Sequence, residues 1–192
     1  MKQLLIETQL FEGKVKYDEN KTLVSGVLQR AKSENQNGRV YPRKILEREA
    51  VKYQQLINEH RALGELDHPD SSVINLKNVS HNIIEIYWKN DDLCGTIEIL
   101  STPSGNILKE LLKAGILLGI SSRGMGSTKQ LEGNTVEVQE DFELLGWDFV
   151  SNPSTHGAFM RPMNESVGAD SKICDIFCKS QDLMRDIITE LN

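Results

Sequence analysis

Three short segments of the 192-residue sequence carry side chains of the types that acyl transfer needs. The first, GELDHPD, places His68 in a loop at a strand end, stiffened by Pro69. A histidine held at fixed height above a nucleophile suits a general base; the plainer reading is a solvated loop histidine beside two aspartates. In the second, Ser121 and Ser122 end an apolar run and lead into Arg123-Gly124-Met125-Gly126. A strand holds such a hydroxyl in place, and small residues after it leave the N–H groups of Ser122, Arg123 and Gly124 free to meet an oxyanion. The plainer reading is a polar strand terminus entering a flexible loop. In the third, GWDFVSNPS, Asp148 stands between Trp147 and Phe149. An acid in a core-like strand is costly unless paired, whereas on an outward-facing side it is cheap. His156 is a second candidate for the third member. The serine pair does not match the G-x-S-x-G elbow, and Gly115-x-x-x-Gly119 reaches no Lys-Ser/Thr of a phosphate loop.

The elements that must position these residues are read from periodicity. Residues 1–11 and 22–30 have strand patterning, and Asn37-Gly38 marks a turn. Pro42 opens a helix running to about Glu59, with Ile45, Leu46, Ala50, Tyr53, Leu56 and Ile57 on one stripe. Residues 79–88 and 93–100 form a hairpin about KNDD. A second helix spans about 104–114, and Gly115 stands where a left-handed cap is wanted. ILLGISS is a buried strand entering the loop RGMGS, and two more strands fall in 135–150. Hairpins and single strands with few helices give an α+β class, mostly antiparallel and barrel-like, rather than a doubly wound sheet. After Pro162 comes a segment of linker composition, then an amphipathic helix.

Composition narrows the function. The formal net charge is −6, from 22 Lys+Arg and 28 Asp+Glu, and no local basic stripe invites nucleic acid or an anionic membrane. With 39% hydrophobic and 26% charged residues the chain reads as a soluble globular protein. Its longest apolar stretch, Ala114 to Ile120, is too short to span a bilayer, and the N-terminus has no signal-peptide pattern. Three cysteines, Cys94, Cys174 and Cys178, suggest no disulfide framework. Cys174 and Cys178 would share a helix face; apolar fillers suit them better than a zinc site.

Together GELDHP, LKAGILLGISSRGMGS and GWDFVSNPS, with NGRVYPRKILEREA upstream, resemble the prohead (procapsid maturation) proteases of tailed phages, the myovirus type in particular. The resemblance covers roughly residues 24–162. It implies a small closed β-barrel flanked by helices, as in herpesvirus assemblins. It also implies a serine endopeptidase, free of metal and organic cofactor, in which Ser121 is the nucleophile, His68 the base and Asp148 the orienting acid. In assemblins the third member is a second histidine. Residues 1–165 would be the protease domain, and 166–192 a linker and terminal helix, propeptide or assembly element. The implied partners are scaffold, core and capsid proteins and the chain itself, inside the prohead in the host cytoplasm; a homo-oligomer is left open. The resemblance further implies cleavage after Glu with an aliphatic residue two positions earlier. Leu5-Ile6-Glu7, Leu10-Phe11-Glu12 and Ile188-Thr189-Glu190 fit near the termini, where chains open most easily. A non-catalytic scaffold protein of the same fold and a small-molecule acyl hydrolase are the rivals.

Overall fold

The computed structural model describes residues 2–10, 14–17, 21–67, 69, 71–131 and 133–151. The expected boundary near 165, the terminal helix, Cys174, Cys178, His156 and His68 itself lie outside them. In chain order come β1 (Gln3–Leu10), β2 (Lys14–Tyr17), β3 (Thr22–Arg30), β4 (Arg39–Val40), α1 (Arg43–Asn58), β5 (Leu63–Glu65), β6 (Val79–Lys89), β7 (Asp92–Ile99), α2 (Pro103–Lys113), β8 (Gly119–Gly126), β9 (Thr128–Gln130), β10 (Val136–Val138) and β11 (Glu143–Val150). The α+β class and the antiparallel majority are as expected; among the described strands only β4 and β10 pair in parallel.

The helices follow their sequence signals closely. In α1 the buried side is Ile45, Leu46, Ala50, Tyr53 and Ile57, plus Glu49. That carboxylate is buried because Arg48 and Lys52 reach it at 2.8 Å each and it accepts the Leu144 N–H at 3.1 Å. Pro42 caps α1 from outside instead of opening it, whereas Pro103 does take the first position of α2, behind the Thr102 cap. Gly115 has φ 73°, and the Gly115 and Ile116 N–H groups return to the Leu112 and Leu111 carbonyls. That is a Schellman ending, which favours glycine.

The strands form three sheets, β1-β8-β11, β4-β10-β9 and β2-β3-β7-β6-β5. A closed barrel is not found among the described residues. Beyond β5 the chain meets β11 at a parallel bridge, Leu66 to Phe149, with the Asp67 N–H donating to the Phe149 carbonyl at 2.7 Å. Register shifts at Gly64/Glu65 and Leu144/Gly146 explain the interruption, since each bulge turns its strand out of line. The loop expected at Arg123–Gly126 is also corrected: it is the second half of β8. Glycine permits this, because a Cβ on Gly124 would stand 2.4 Å from Phe142 Cε2. The main core lies between the five-stranded sheet, both helices, β8 and β11; a smaller cluster gathers Leu5, Tyr41, Ile45, Leu46, Val138 and Phe142.

His81 on β6 ties two sheets together from inside the core. Its Nε2–H donates to the Trp147 carbonyl at 3.0 Å, so Nδ1 is the acceptor for the Ser80 hydroxyl at 2.8 Å. Gly64 makes room, since a Cβ there would lie 2.1 Å from His81 Nε2. Burial pushes the His81 pKa down from 6.5 to about 4, against the opposing pull of Asp148. Between those values the unfolded chain takes up a proton that the folded one refuses, so stability is full above pH 6.5 and is lost as pH falls toward 4. The expected loss is about 3 kcal/mol from this group. Urea unfolding at pH 7 and pH 4.5 should show a markedly smaller pH difference for His81→Gln than for wild type.

Candidate active site

Alternation along β8 decides which serine faces which neighbour. Ser121 has Thr8 of β1 as its cross-strand partner on one side and Asp148 of β11 on the other. Directly opposed residues of antiparallel strands share a face, so Ser121, Asp148 and Arg123 project to one side of the sheet. Ser122 projects to the other, opposite Trp147 and Glu7. All of these groups are buried: Ser121, Arg123 and Asp148 have no exposure, and Ser122 has 2%.

Arg123 organises that face. Its Nη2 donates to Asp148 Oδ1 at 3.2 Å, while Nε lies 3.1 Å from Oδ2 in an ion-pair contact without hydrogen-bond geometry. Nη1 donates to the Ser71 carbonyl at 2.9 Å, and both terminal nitrogens lie 3.4 Å from Glu65 Oε1. Glu65 in turn gives its N–H to Asp148 Oδ1 at 2.9 Å and receives the Asn75 N–H on Oε1 at 3.0 Å. Its Oε2 has no hydrogen-bond partner among the described residues. One guanidinium thus serves two carboxylates, all three fully buried, in a medium where charges act strongly.

The histidine loop is moored to the same face. Leu66 bridges Phe149 and donates its N–H to the Asn78 carbonyl at 3.0 Å, and the Asp67 N–H reaches the Phe149 carbonyl. Asp67 has φ 67°, a left-handed conformation that Asp tolerates better than most side chains. His68, the next residue along the chain, lies outside the described residues.

Residues 3–168 match the family of prohead core protein serine proteases. The chain belongs to that family. It is similar to the prohead core protein protease of Enterobacteria phage T4, 32% identical over 174 residues, covering 84% of this chain and 80% of that protein. The solved structure of the bacteriophage T4 capsid assembly protease superposes with a TM-score of 0.75 at 29% identity, over 79% of this chain and 99% of that one. The protein is therefore a phage prohead maturation protease, with the α+β, mostly antiparallel architecture of its T4 relative.

For this prohead protease the sequence reading brought Ser121 and Asp148 forward, and the structure sets them side by side. The backbone N–H groups of Ser122, Arg123 and Gly124 lie inside a strand with a neighbour on each hand, where N–H groups run in the plane of the sheet. Glu65 and the Arg123 side chain were not singled out by sequence. The available signal was an arginine two residues beyond a serine on an apolar strand, because arginine is almost never fully buried unless paired. Among the described residues no group of three or more His, Cys, Asp or Glu could hold a metal ion, and no helix is long and apolar enough to cross a membrane.

Another buried carboxylate, Glu7, sits across from Ser122. Arg39 Nη1 reaches it at 2.7 Å, Asn37 Nδ2 and the Tyr41 hydroxyl at 2.9 Å each, and Asn35 Nδ2 also donates to it. Burial and the Glu7 charge push the Tyr41 phenol well up. Removing one partner from a buried ionic cluster costs about 3–5 kcal/mol, because the remaining charge is stranded. Arg123→Met should show such a loss in urea unfolding. The triple variant Arg123→Met, Glu65→Gln, Asp148→Asn, with no charge left to strand, should recover most of it.

Proposed function

We propose that the chain is a serine endopeptidase that cleaves scaffold, core and capsid proteins, and itself, inside the assembling prohead in the host cytoplasm. In this reading Ser121 Oγ attacks the scissile carbonyl while His68 takes its proton, then returns it to the leaving amine. Asp148 orients the imidazole and offsets the imidazolium charge. A water molecule repeats the cycle on the acyl-enzyme. The observation that carries the assignment is the register of β8 and β11, which pairs Ser121 and not Ser122 with Asp148. The stem of the His68 loop, bonded to Phe149, supports the third partnership. The chain order His, Ser, third member on an antiparallel frame is also what suggests kinship with herpesvirus assemblins.

Two features bear on activation. Ser121 has no exposure in this arrangement, so a polypeptide reaches it only after covering chain moves aside. That suits a precursor activated after packaging, with residues 166–192 as linker and propeptide or assembly element. Glu7, however, is a poor first self-cleavage site. It lies in mid-strand on β1, paired to β8 and held by four side chains, and cutting there requires local unfolding. Ile45-Leu46-Glu47 and Leu108-Lys109-Glu110 also carry an aliphatic residue two positions before Glu, but they lie within α1 and α2. Glu12, between β1 and β2 in the chain, and Glu190 remain the candidates.

Ser121→Ala should lower cleavage of a purified scaffold protein by about 10⁴-fold or more with folding intact, whereas Ser122→Ala should keep appreciable activity. Equal loss from both refutes the assignment. Asp148→Asn should reduce cleavage strongly; if it is silent while His156→Ala is crippling, the third member is a histidine. Intact-mass analysis of active protein should show losses ending at Glu12 or Glu190, none at Glu7, and none in Ser121→Ala. Trimming that persists in that variant contradicts self-processing.

A further inference from the structure

We propose that Arg123, acting with Glu65, is the positioning residue of the proteolytic site: one guanidinium fixes the Asp148 carboxylate and the loop that carries His68. The inference rests on the Ser121–His68–Asp148 reading and adds to it two side chains that touch none of the reacting atoms.

The geometry makes one group answer for three distant pieces of chain. Arg123 grows from β8 two residues after Ser121, on the same face. Its Nη2 donates to Asp148 Oδ1 at 3.2 Å and its Nε stands 3.1 Å from Oδ2 in ion-pair contact, so the guanidinium lies along the carboxylate. Its Nη1 holds the Ser71 carbonyl, three residues past His68. Glu65, three residues before His68, closes the circuit by bonding Asp148 through its N–H, Asn75 through Oε1 and the guanidinium through the same oxygen. Glu65 before His68 is therefore anchored to the acid that is to orient the histidine, and Ser71 after it to the guanidinium paired with that acid. Lysine keeps the charge but is a single point donor, so it cannot reach Asp148, Glu65 and the Ser71 carbonyl in these separate directions.

The test uses steady-state cleavage of a quenched fluorogenic peptide carrying a Leu-Xaa-Glu sequence, with activity normalised to folded protein by circular dichroism. Arg123→Lys should lower kcat by about 10- to 100-fold, the scale of a misplaced catalytic group, with KM within about threefold of wild type because no substrate contact is lost. The double variant Arg123→Gln, Glu65→Gln keeps the net charge of the cluster and its hydrogen-bonding groups while removing the guanidinium, and should show the same split. In an Asp148→Asn background, Arg123→Lys should cost little more, since both act through one carboxylate. Wild-type kcat in either folded variant overturns the proposal, as does a fall that multiplies fully with Asp148→Asn. Failure of both variants to fold overturns it too, by making the cluster a requirement of the fold alone. If Asp148→Asn itself retains wild-type kcat, the fault lies in the triad reading; if it is crippled while Arg123→Lys is not, only the positioning role fails.

Discussion

A guanidinium buried with two carboxylates and no exposed surface tolerates little rearrangement. Each charge would cost several kcal/mol if stranded, so the four segments that supply Arg123, Asp148, Glu65 and the Ser71 carbonyl are bound to one geometry. β8 must run through Arg123 as a strand, β11 must keep the register that sets Asp148 opposite Ser121, and β5 must end where the Glu65 N–H can reach Asp148. The histidine loop is then closed at both ends. Most of what positions the candidate site follows from satisfying this cluster, with the hydrophobic core supplying the walls.

The helices and the β6–β7 hairpin were legible because their signals are local. Ile45, Leu46, Ala50, Tyr53 and Ile57 repeat at the helical period, and Gly115 marks an ending that needs a left-handed residue. The second half of β8 was not legible. Two glycines after an arginine read as a loop, and only the approach of Phe142, whose ring stands where a Gly124 Cβ would be, shows why a strand needs them. The barrel expected by resemblance is interrupted for a similar reason, since bulges at Gly64/Glu65 and Leu144/Gly146 depend on cross-strand contacts that no window of sequence contains.

Buried charge was the least legible property of all. Glu7, Glu49 and Glu65 look like surface residues in sequence, and each is interior because partners distant along the chain reach it. For Glu7 the consequence is functional, since a motif that suits self-cleavage by sequence is locked in the middle of β1. Ser121 and Asp148 were found by their flanking pattern, and their pairing became visible only in the register.

The central claim is that the Asp148 face of β8 carries the nucleophile. An aryl phosphonate carrying a reporter group, reacted with protein that is actively cleaving scaffold substrate and mapped by tandem mass spectrometry, tests it most directly. The account predicts a single adduct on Ser121, lost in His68→Ala and unaffected by Ser122→Ala. An adduct on Ser122 or on another serine, or labelling of Ser121 undiminished in His68→Ala, would contradict it.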